Sequence, residues 1–329
     1  MDTHVLPIDD EKNVKICAEE IKNGGIVAFP TETVYGLGVS AYCGASVKKV
    51  FEVKGRPSDN PLICHIADEN DAYLATDELT ETAKKLFAAF SPGPITCVVK
   101  KNNRIADEVT AGLDTVGIRI VAPKGARAFI KACGVPVAAP SANTSKRPSP
   151  TNAKDVLADM DGKIPYILDG GSCDVGIEST VVDCRGKTPI VLRAGKITSA
   201  DIKRVCGSVG IAGENSEVRA PGMKYRHYAP KCKMFCRFGR IDGLDEKIAE
   251  LCKSGEEVVL LGNDETSDFE NVTHISLGNT VEEYMHGYFS ALRVAENEGT
   301  VIVCYVPFSE EEAEGLYNRA KKSCGGNLI

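Results

Sequence analysis

Between residues 10 and 23 the apolar side chains recur at helical spacing: Val14, Cys17 and Ile21 share one face, and Gly24 follows as a stop. Residues 25–30 then form a short continuous apolar run closed by a proline, which predicts a buried strand. Similar runs at 61–66, 95–100, 116–121, 135–139, 179–183 and 190–192 predict further strands, with helical patterns at 44–53, 68–74, 79–89, 124–133 and 152–159. This mixture predicts an α/β layer structure built on a twisted mixed sheet with flanking helices.

The periodicity fades after residue 207. Residues 208–231 carry Gly and Pro without a sustained pattern and read as a linker, yet they contain the run Ala220-Pro-Gly-Met-Lys-Tyr-Arg-His-Tyr-Ala-Pro230, unusually rich in functional side chains. Beyond it, strand runs at 233–238, 258–261, 274–277 and 300–305 alternate with helices at about 242–254, 280–297 and 310–323. Thr280 with Glu283 and Ser309 with Glu312 are capping-box pairs that predict two of those helix starts. The chain therefore divides into a first domain at 1–207, a linker at 208–231 and a second, doubly wound domain with a parallel sheet at 232–329. The second domain contains neither of the common glycine-rich phosphate-binding motifs.

Composition changes this picture little. The 329 residues carry a net charge of -7, which argues against a protein that grips a nucleic-acid backbone but leaves room for a local basic pocket. The 13 cysteines lie mostly inside apolar runs and include no CxxC pair, so reduced buried thiols are expected and no structural metal. The first residues lack the basic-then-apolar order of a secretory signal, and no apolar run reaches the roughly 20 residues of a membrane span. A cytoplasmic protein with no membrane contact is expected.

Polar residues cluster at the ends of the predicted strands, where open α/β sheets bind ligands. Phe29-Pro-Thr-Glu-Thr-Val-Tyr-Gly-Leu-Gly38 offers hydroxyls and a carboxylate after a strand, although taken alone it reads better as a capped turn. Lys54 and Arg56 end a helical pattern, as cations favoured by its C-terminus or as a phosphate clamp. His65 lies in an apolar strand, a position more often structural than catalytic. Arg119 also lies within an apolar strand and demands an anion, which a protein carboxylate or a substrate carboxylate could supply. Ala139-Pro-Ser-Ala-Asn-Thr-Ser145 is a small-residue loop suited to anions, and Glu178-Ser-Thr-Val-Val-Asp183 and Leu192-Arg-Ala-Gly195 complete the set.

Each cluster is weak alone, but their order is specific. Pro30-Thr-Glu-Thr-Val-Tyr-Gly-Leu-Gly38, Lys54-Gly-Arg-Pro57, Asn60-Pro-Leu-Ile-Cys-His65, Pro92-Gly-Pro-Ile-Thr96, Gly117-Ile-Arg119, Pro140-Ser-Ala-Asn143, Glu178-Ser-Thr-Val-Val-Asp183 and Leu192-Arg-Ala-Gly195 together resemble the L-threonylcarbamoyladenylate synthase family. The resemblance covers about residues 10–200 as a YrdC-like catalytic domain; the linker and a Rossmann-like C-terminal domain are similar to the longer, two-domain branch. It implies a nucleotidyltransferase that makes threonylcarbamoyl-AMP and pyrophosphate from L-threonine, bicarbonate or CO2, and ATP. A downstream tRNA threonylcarbamoyl transferase complex would then modify adenosine 37 of tRNA, with no stable nucleic-acid binding by this chain itself.

The resemblance also implies roles. Thr31, Thr33, His65, Arg119, Ala139 and Ser179 would hold L-threonine. Lys54, Arg56, Asn60, Thr115, Ser141, Asn143, Ser149 and Arg193 would hold ATP, with Lys54 and Arg56 stabilising the triphosphate during reaction and Mg2+ carried mainly by ATP phosphates. Separately from the resemblance, the density of polar and aromatic side chains in the linker suggests that Arg226 and His227, with Tyr228, fold back over the ATP side and limit loss of an unstable product. Ser91 and Ala194 depart from the usual bulky aromatic and proline without removing a proposed contact. Two alternatives are a carbamoyltransferase with a related domain, which would require acylphosphatase and zinc-finger modules that this chain has no room for, and an RNA-binding module, which the acidic charge disfavours.

Overall fold

The structure, a computed structural model, describes residues 1–213 and 228–329. Its first helix, α1 (Glu11–Lys22), begins at Asp10, whose carboxylate accepts from the Lys12 amide, and buries Val14, Cys17 and Ile21 as the spacing predicts. Further helices of the first domain are α2 (Gly44–Lys54), α3 (Glu81–Phe90), α4 (Asp107–Thr110), α5 (Lys124–Cys133), α6 (Ala153–Met160) and α7 (Ser199–Cys206).

The strands, in chain order, are β1 (His4–Pro7), β2 (Val27–Phe29), β3 (Gly36–Ser40), β4 (Ile63–Ile66), β5 (Ile95–Lys100), β6 (Thr115–Ile120), β7 (Val137–Ala139), β8 (Tyr166–Asp169), β9 (Thr180–Asp183), β10 (Ile190–Arg193) and β11 (Gly210–Ile211). Among the described residues they make one mixed sheet in the order β1-β8-β2-β3-β7-β4-β6-β5-β9-β10-β11. The sheet runs past the expected boundary at residue 207, because β11 pairs in parallel with β10. Four strands lie where none was predicted, β11 among them. β1 and β8 are short and pair with each other, and β3 occupies part of the glycine-bearing segment read as a ligand loop.

Alternation along the strands divides the core. Cys64, Ile66, Cys97, Val99, Ile118 and Ile120 face α2, α3 and α6 and join Val47, Val50, Phe51, Leu86, Phe87, Val156 and Met160. On the other face α1 and α5 cover Val27, Phe29, Val137 and Ala139. That cover ends at β7. Further along the same face, Ile63, Val98 and Val181 form only a small cluster, and a concave floor is left over β4, β6, β5 and β9.

The second domain consists of β12 (Lys233–Phe238), α8 (Leu244–Lys253), β13 (Val258–Gly262), β14 (Thr273–Ser276), α9 (Val281–Glu298), β15 (Val301–Val306) and α10 (Glu314–Cys324). Its strands form a parallel sheet in the order β12-β15-β13-β14, with α8 on one face and α9 and α10 on the other, the doubly wound arrangement expected. The Thr280–Glu283 capping box starts α9 as predicted. The reciprocal Ser309–Glu312 bonds form too, but they close a turn and α10 begins only at Glu314. All 13 cysteines are unpaired, and no helix among the described residues is long and apolar enough to cross a membrane.

The two domains share a core: Val34, Val175 and Ile177 of the first pack with Tyr284, Tyr288, Phe289 and Leu316 of the second. Ion pairs join them at Arg147–Glu296 and at Arg293–Asp159, 2.8 Å. At the start of α10 the backbones themselves meet, since a β-carbon on Gly315 would lie 2.6 Å from the Gly195 carbonyl oxygen. Replacing Gly by Ala in an unobstructed helix stabilises by about 0.5–1 kcal/mol. Here Gly315→Ala should instead destabilise by about 1–3 kcal/mol through overpacking. Urea unfolding gives the sign directly, and a gain in stability would show that the two backbones can separate freely.

Candidate functional site

The concave floor lies beneath a cavity with about 730 Å3 of empty space, open to solvent and lined by residues from β3, β4, β6, β7, β10, the C-terminal end of α2 and the loops after β2 and β7. His65 and Arg119 are register partners on the parallel strands β4 and β6, so their side chains leave the same face. Both are buried.

The loop after β2 is held by its own hydroxyls. Thr31 Oγ1 accepts from the amides of Thr33 and Val34 at 3.1 and 3.2 Å and donates to the Val34 carbonyl at 2.7 Å. With the Thr31 proton committed there, Thr33 donates in the 2.8 Å bond between the two hydroxyls, and the Thr33 lone pairs remain for an N–H donor. Close packing fixes the following strand: a β-carbon on Gly38 would lie 2.7 Å from Val137 Cγ1 and 2.9 Å from the Phe29 ring.

Arg119 has the anion it demands. Its Nη2 lies 2.7 Å from Glu32 Oε1, and Glu32 Oε2 accepts from the Ala122 amide at 2.9 Å. Of the two possibilities left open for this arginine, the protein carboxylate is present, and Arg119 Nε lacks a partner among the described residues. His65 donates from Nδ1 to the Val137 carbonyl at 3.2 Å, which makes Nε2 the acceptor nitrogen. Burial, reinforced by the nearby Arg119 charge, drives the His65 pKa down to about 3. The ring is neutral throughout the physiological range.

The other wall carries positive charge. Lys54, the last residue of α2, is buried and donates to the carbonyls of Ser141 and Asn143 and, at 3.4 Å, to Asn143 Oδ1. Burial, then the neighbouring Arg56, holds its pKa well below the usual lysine range. Arg56 donates to the Asn60 carbonyl at 3.1 Å and lies over Phe51, and burial lowers it to about 10. Arg193 ends β10 and donates to the Ser179 carbonyl at 2.9 and 3.1 Å and to its hydroxyl at 3.1 Å; burial lowers it to about 10 also. Lys146 and Arg147 complete the cationic lining. Arg56 Nε and both amide atoms of Asn60 are buried without partners among the described residues, and groups of that kind are normally met by water or a ligand.

The structure thus brings Thr31, Thr33, Lys54, Arg56, His65, Arg119, Ala139, Ser141, Asn143 and Arg193 to one cavity. Four predicted residues do not line it. Asn60 and Ser179 touch residues that do, through Arg56 and Arg193. Ser149 is buried and donates to Glu178 Oε1 at 2.5 Å. Thr115 opens β6, four residues or about 13 Å along the strand from Arg119. Arg226 and His227 lie outside the described residues, while Tyr228 is buried and lines the cavity.

The family described as "Telomere recombination" matches residues 19–195, and the one described as "Threonylcarbamoyl-AMP synthase, C-terminal domain" matches 197–325. A threonylcarbamoyl-AMP synthase of Pyrococcus abyssi is 41% identical over 97% of this chain and 96% of its own length. The chain belongs to the two-domain threonylcarbamoyl-AMP synthase family. The Bacillus subtilis member is 38% identical over 97% of this chain and 95% of its own. The crystal structure of P. abyssi Sua5 complexed with L-threonine superposes with a TM-score of 0.94 at 38% identity, covering 100% of this chain and 99% of that one. The C-terminal match also separates this synthase-family chain from the carbamoyltransferase alternative.

Glu32, Glu178, Arg147 and Arg319 were not singled out as site residues. Glu32 and Glu178 stood inside quoted motifs, and a buried arginine implies a buried carboxylate, but nothing in the sequence says which one. The neutral state of His65 has a direct check. Its ring resonances should show no titration between about pH 5 and 8 in NMR spectra, and an inflection near 6.5 would mean that the ring is solvated.

Proposed function

We infer that this chain is a threonylcarbamoyl-AMP synthase that joins L-threonine, bicarbonate or CO2, and ATP. The observation that carries the reading is the cavity itself, which Lys54, Arg56, Arg193 and Arg119 line together with Thr33 and His65. Buried cations whose pKa values are depressed by burial gain stability when a polyanion arrives, so this wall favours a triphosphate.

The amino acid fits the opposite end. Thr33 Oγ1 and His65 Nε2 can each accept from a neutral amine, and the remaining Arg119 N–H groups can donate to the carboxylate of threonine. Ser179 contributes through Arg193, and the small Ala139 leaves room at the floor. The amine nitrogen attacks the carbon of CO2 and releases a proton, giving a carbamate. A carbamate oxygen then attacks the α-phosphorus of ATP, the α–β phosphoanhydride bond breaks, and pyrophosphate leaves. No protein nucleophile is needed, so the side chains act by positioning and charge. In this reading Lys54 and Arg56 meet the charge of the departing pyrophosphate.

The donor set fits a Mg2+ delivered on ATP phosphates, not one caged by carboxylates. Among the described residues no group of three or more His, Cys, Asp or Glu could hold a metal, and Glu32 and Glu178 are already bound to arginines. Such an ion would neutralise phosphate charge. The product suits a downstream transferase complex acting on tRNA in the cytoplasm.

The reading predicts pyrophosphate release that depends on both threonine and bicarbonate. Release from ATP alone at the same rate would refute it. Serine in place of threonine should reduce kcat/KM by about 10- to 200-fold, the worth of one methyl group in a fitted pocket. Arg119→Ala should weaken threonine binding by about 10- to 100-fold, while calorimetry shows ATP affinity largely kept; the reverse pattern would exchange the two ends of the cavity.

A further inference from the structure

Arg319 lies on α10 of the C-terminal domain with no exposed side-chain surface, yet most of its polar contacts are to the catalytic domain. Nε donates to Glu178 Oε2 at 2.6 Å, Nη1 to the Ala194 carbonyl at 3.0 Å and to Asn318 Oδ1 at 2.8 Å, and Nη2 reaches the Glu178 carbonyl at 3.4 Å. Its guanidinium carbon is 5.3 Å from the centroid of the Tyr228 ring. Glu178 and Tyr228 both line the cavity, and Ala194 follows Arg193, the cation that holds Ser179. One guanidinium from the second domain therefore ties together two separate segments of the wall.

We propose that Arg319 is a positioning residue of the catalytic cavity, acting through Glu178 and the Ala194 carbonyl to fix Arg193 for the nucleotide and, through it, Ser179 for the amino acid. The proposal rests on the synthase reading. It assigns the C-terminal domain a direct share in the site, beyond that of a docked neighbour.

Docking alone does not explain an arginine here. A buried ion pair is at best a weak source of stability compared with apolar packing, and the apolar core shared by the domains already supplies that. What the ion pair adds is a defined charge and a defined geometry. Glu178 is faced by Arg319 and Lys322 of α10, Arg193 of β10, Lys54 of α2, the Ser149 hydroxyl and Tyr228. Burial pushes its carboxyl up, but Arg319 and then Arg193 outweigh burial and hold it below the ordinary glutamate range. An ionised Glu178 must accept from Ser149, so that wall has one hydrogen-bonding state.

The test uses the full chain with Arg319→Met, Arg319→Lys, Glu178→Gln and the Arg319→Met/Glu178→Gln pair. It records threonine-dependent pyrophosphate release against pH, ATP affinity by calorimetry, and thermal unfolding. Arg319→Met should lower kcat/KM by about 10- to 100-fold, the scale of a small misplacement at a distance from the chemistry. With its main partner gone, Glu178 should protonate at higher pH, moving the acid limb of the profile upward. Arg319→Lys should keep the acid limb in place while recovering only part of the rate, because it restores the charge without the planar fork. Adding Glu178→Gln to Arg319→Met should abolish the displacement of the acid limb. Glu296→Gln, which breaks the Arg147 pair, should lower the unfolding temperature without moving that limb. A folded Arg319→Met protein with wild-type ATP affinity and an unmoved acid limb would overturn the proposal. So would equal losses in the Met and Lys variants that simply follow unfolding temperature. If the wild-type chain shows no threonine-dependent release, the synthase reading fails, and the pH dependence of ATP affinity still decides the role of Arg319.

Discussion

The constraint on which the rest of this structure depends is the burial of positive charge around one cavity. Lys54, Arg119, Arg193 and Arg319 are all buried, and an isolated cation in a protein interior is too costly to persist. Each is compensated differently. Arg119 has the Glu32 carboxylate and Arg319 has Glu178, while Lys54 and Arg193 are held chiefly by backbone carbonyls. A carbonyl dipole compensates a cation less fully than a carboxylate does. Lys54 and Arg193 also feel the Glu178 carboxylate, so that one anion serves several of the cavity's cations.

The same accounting explains why the two domains form one unit. Glu178 interrupts an otherwise cationic wall, and its partner comes from α10 of the C-terminal domain, 141 residues further along the chain. Arg147 lines the cavity and is answered by Glu296 of α9, and Arg293 of α9 donates to the Pro148 carbonyl at 2.6 Å in the same loop. The loop after β7 and the segment from Glu178 to Gly195 are thus each anchored to the second domain. A sheet face that ran out of helical cover after β7 has acquired its far walls from another domain.

Much of this was legible in the sequence where the physics is local. The spacing of Val14, Cys17 and Ile21 marks α1, and the apolar run at 95–100 coincides with β5. The motif clusters were recognisable as strand-end polar groups because strand ends are local features. What could not be read depends on partners. β1 has four residues of which none is buried, so it carries no hydrophobic signal and exists through its pairing with β8. β3 is glycine-rich because Phe29 and Val137 crowd its backbone, and that crowding is visible only in three dimensions. The Ser309–Glu312 pair shows the opposite failure: a local rule was obeyed, but the chain turned before α10 began. Glu178 and Arg319 could not be matched from sequence because either could have paired elsewhere.

The acidic charge of the whole chain is not in conflict with this site. A net charge of -7 is spread over a large surface and screened within about 8–10 Å at physiological ionic strength. The cavity cations sit at short range behind low-dielectric walls, where their field is focused on whatever enters.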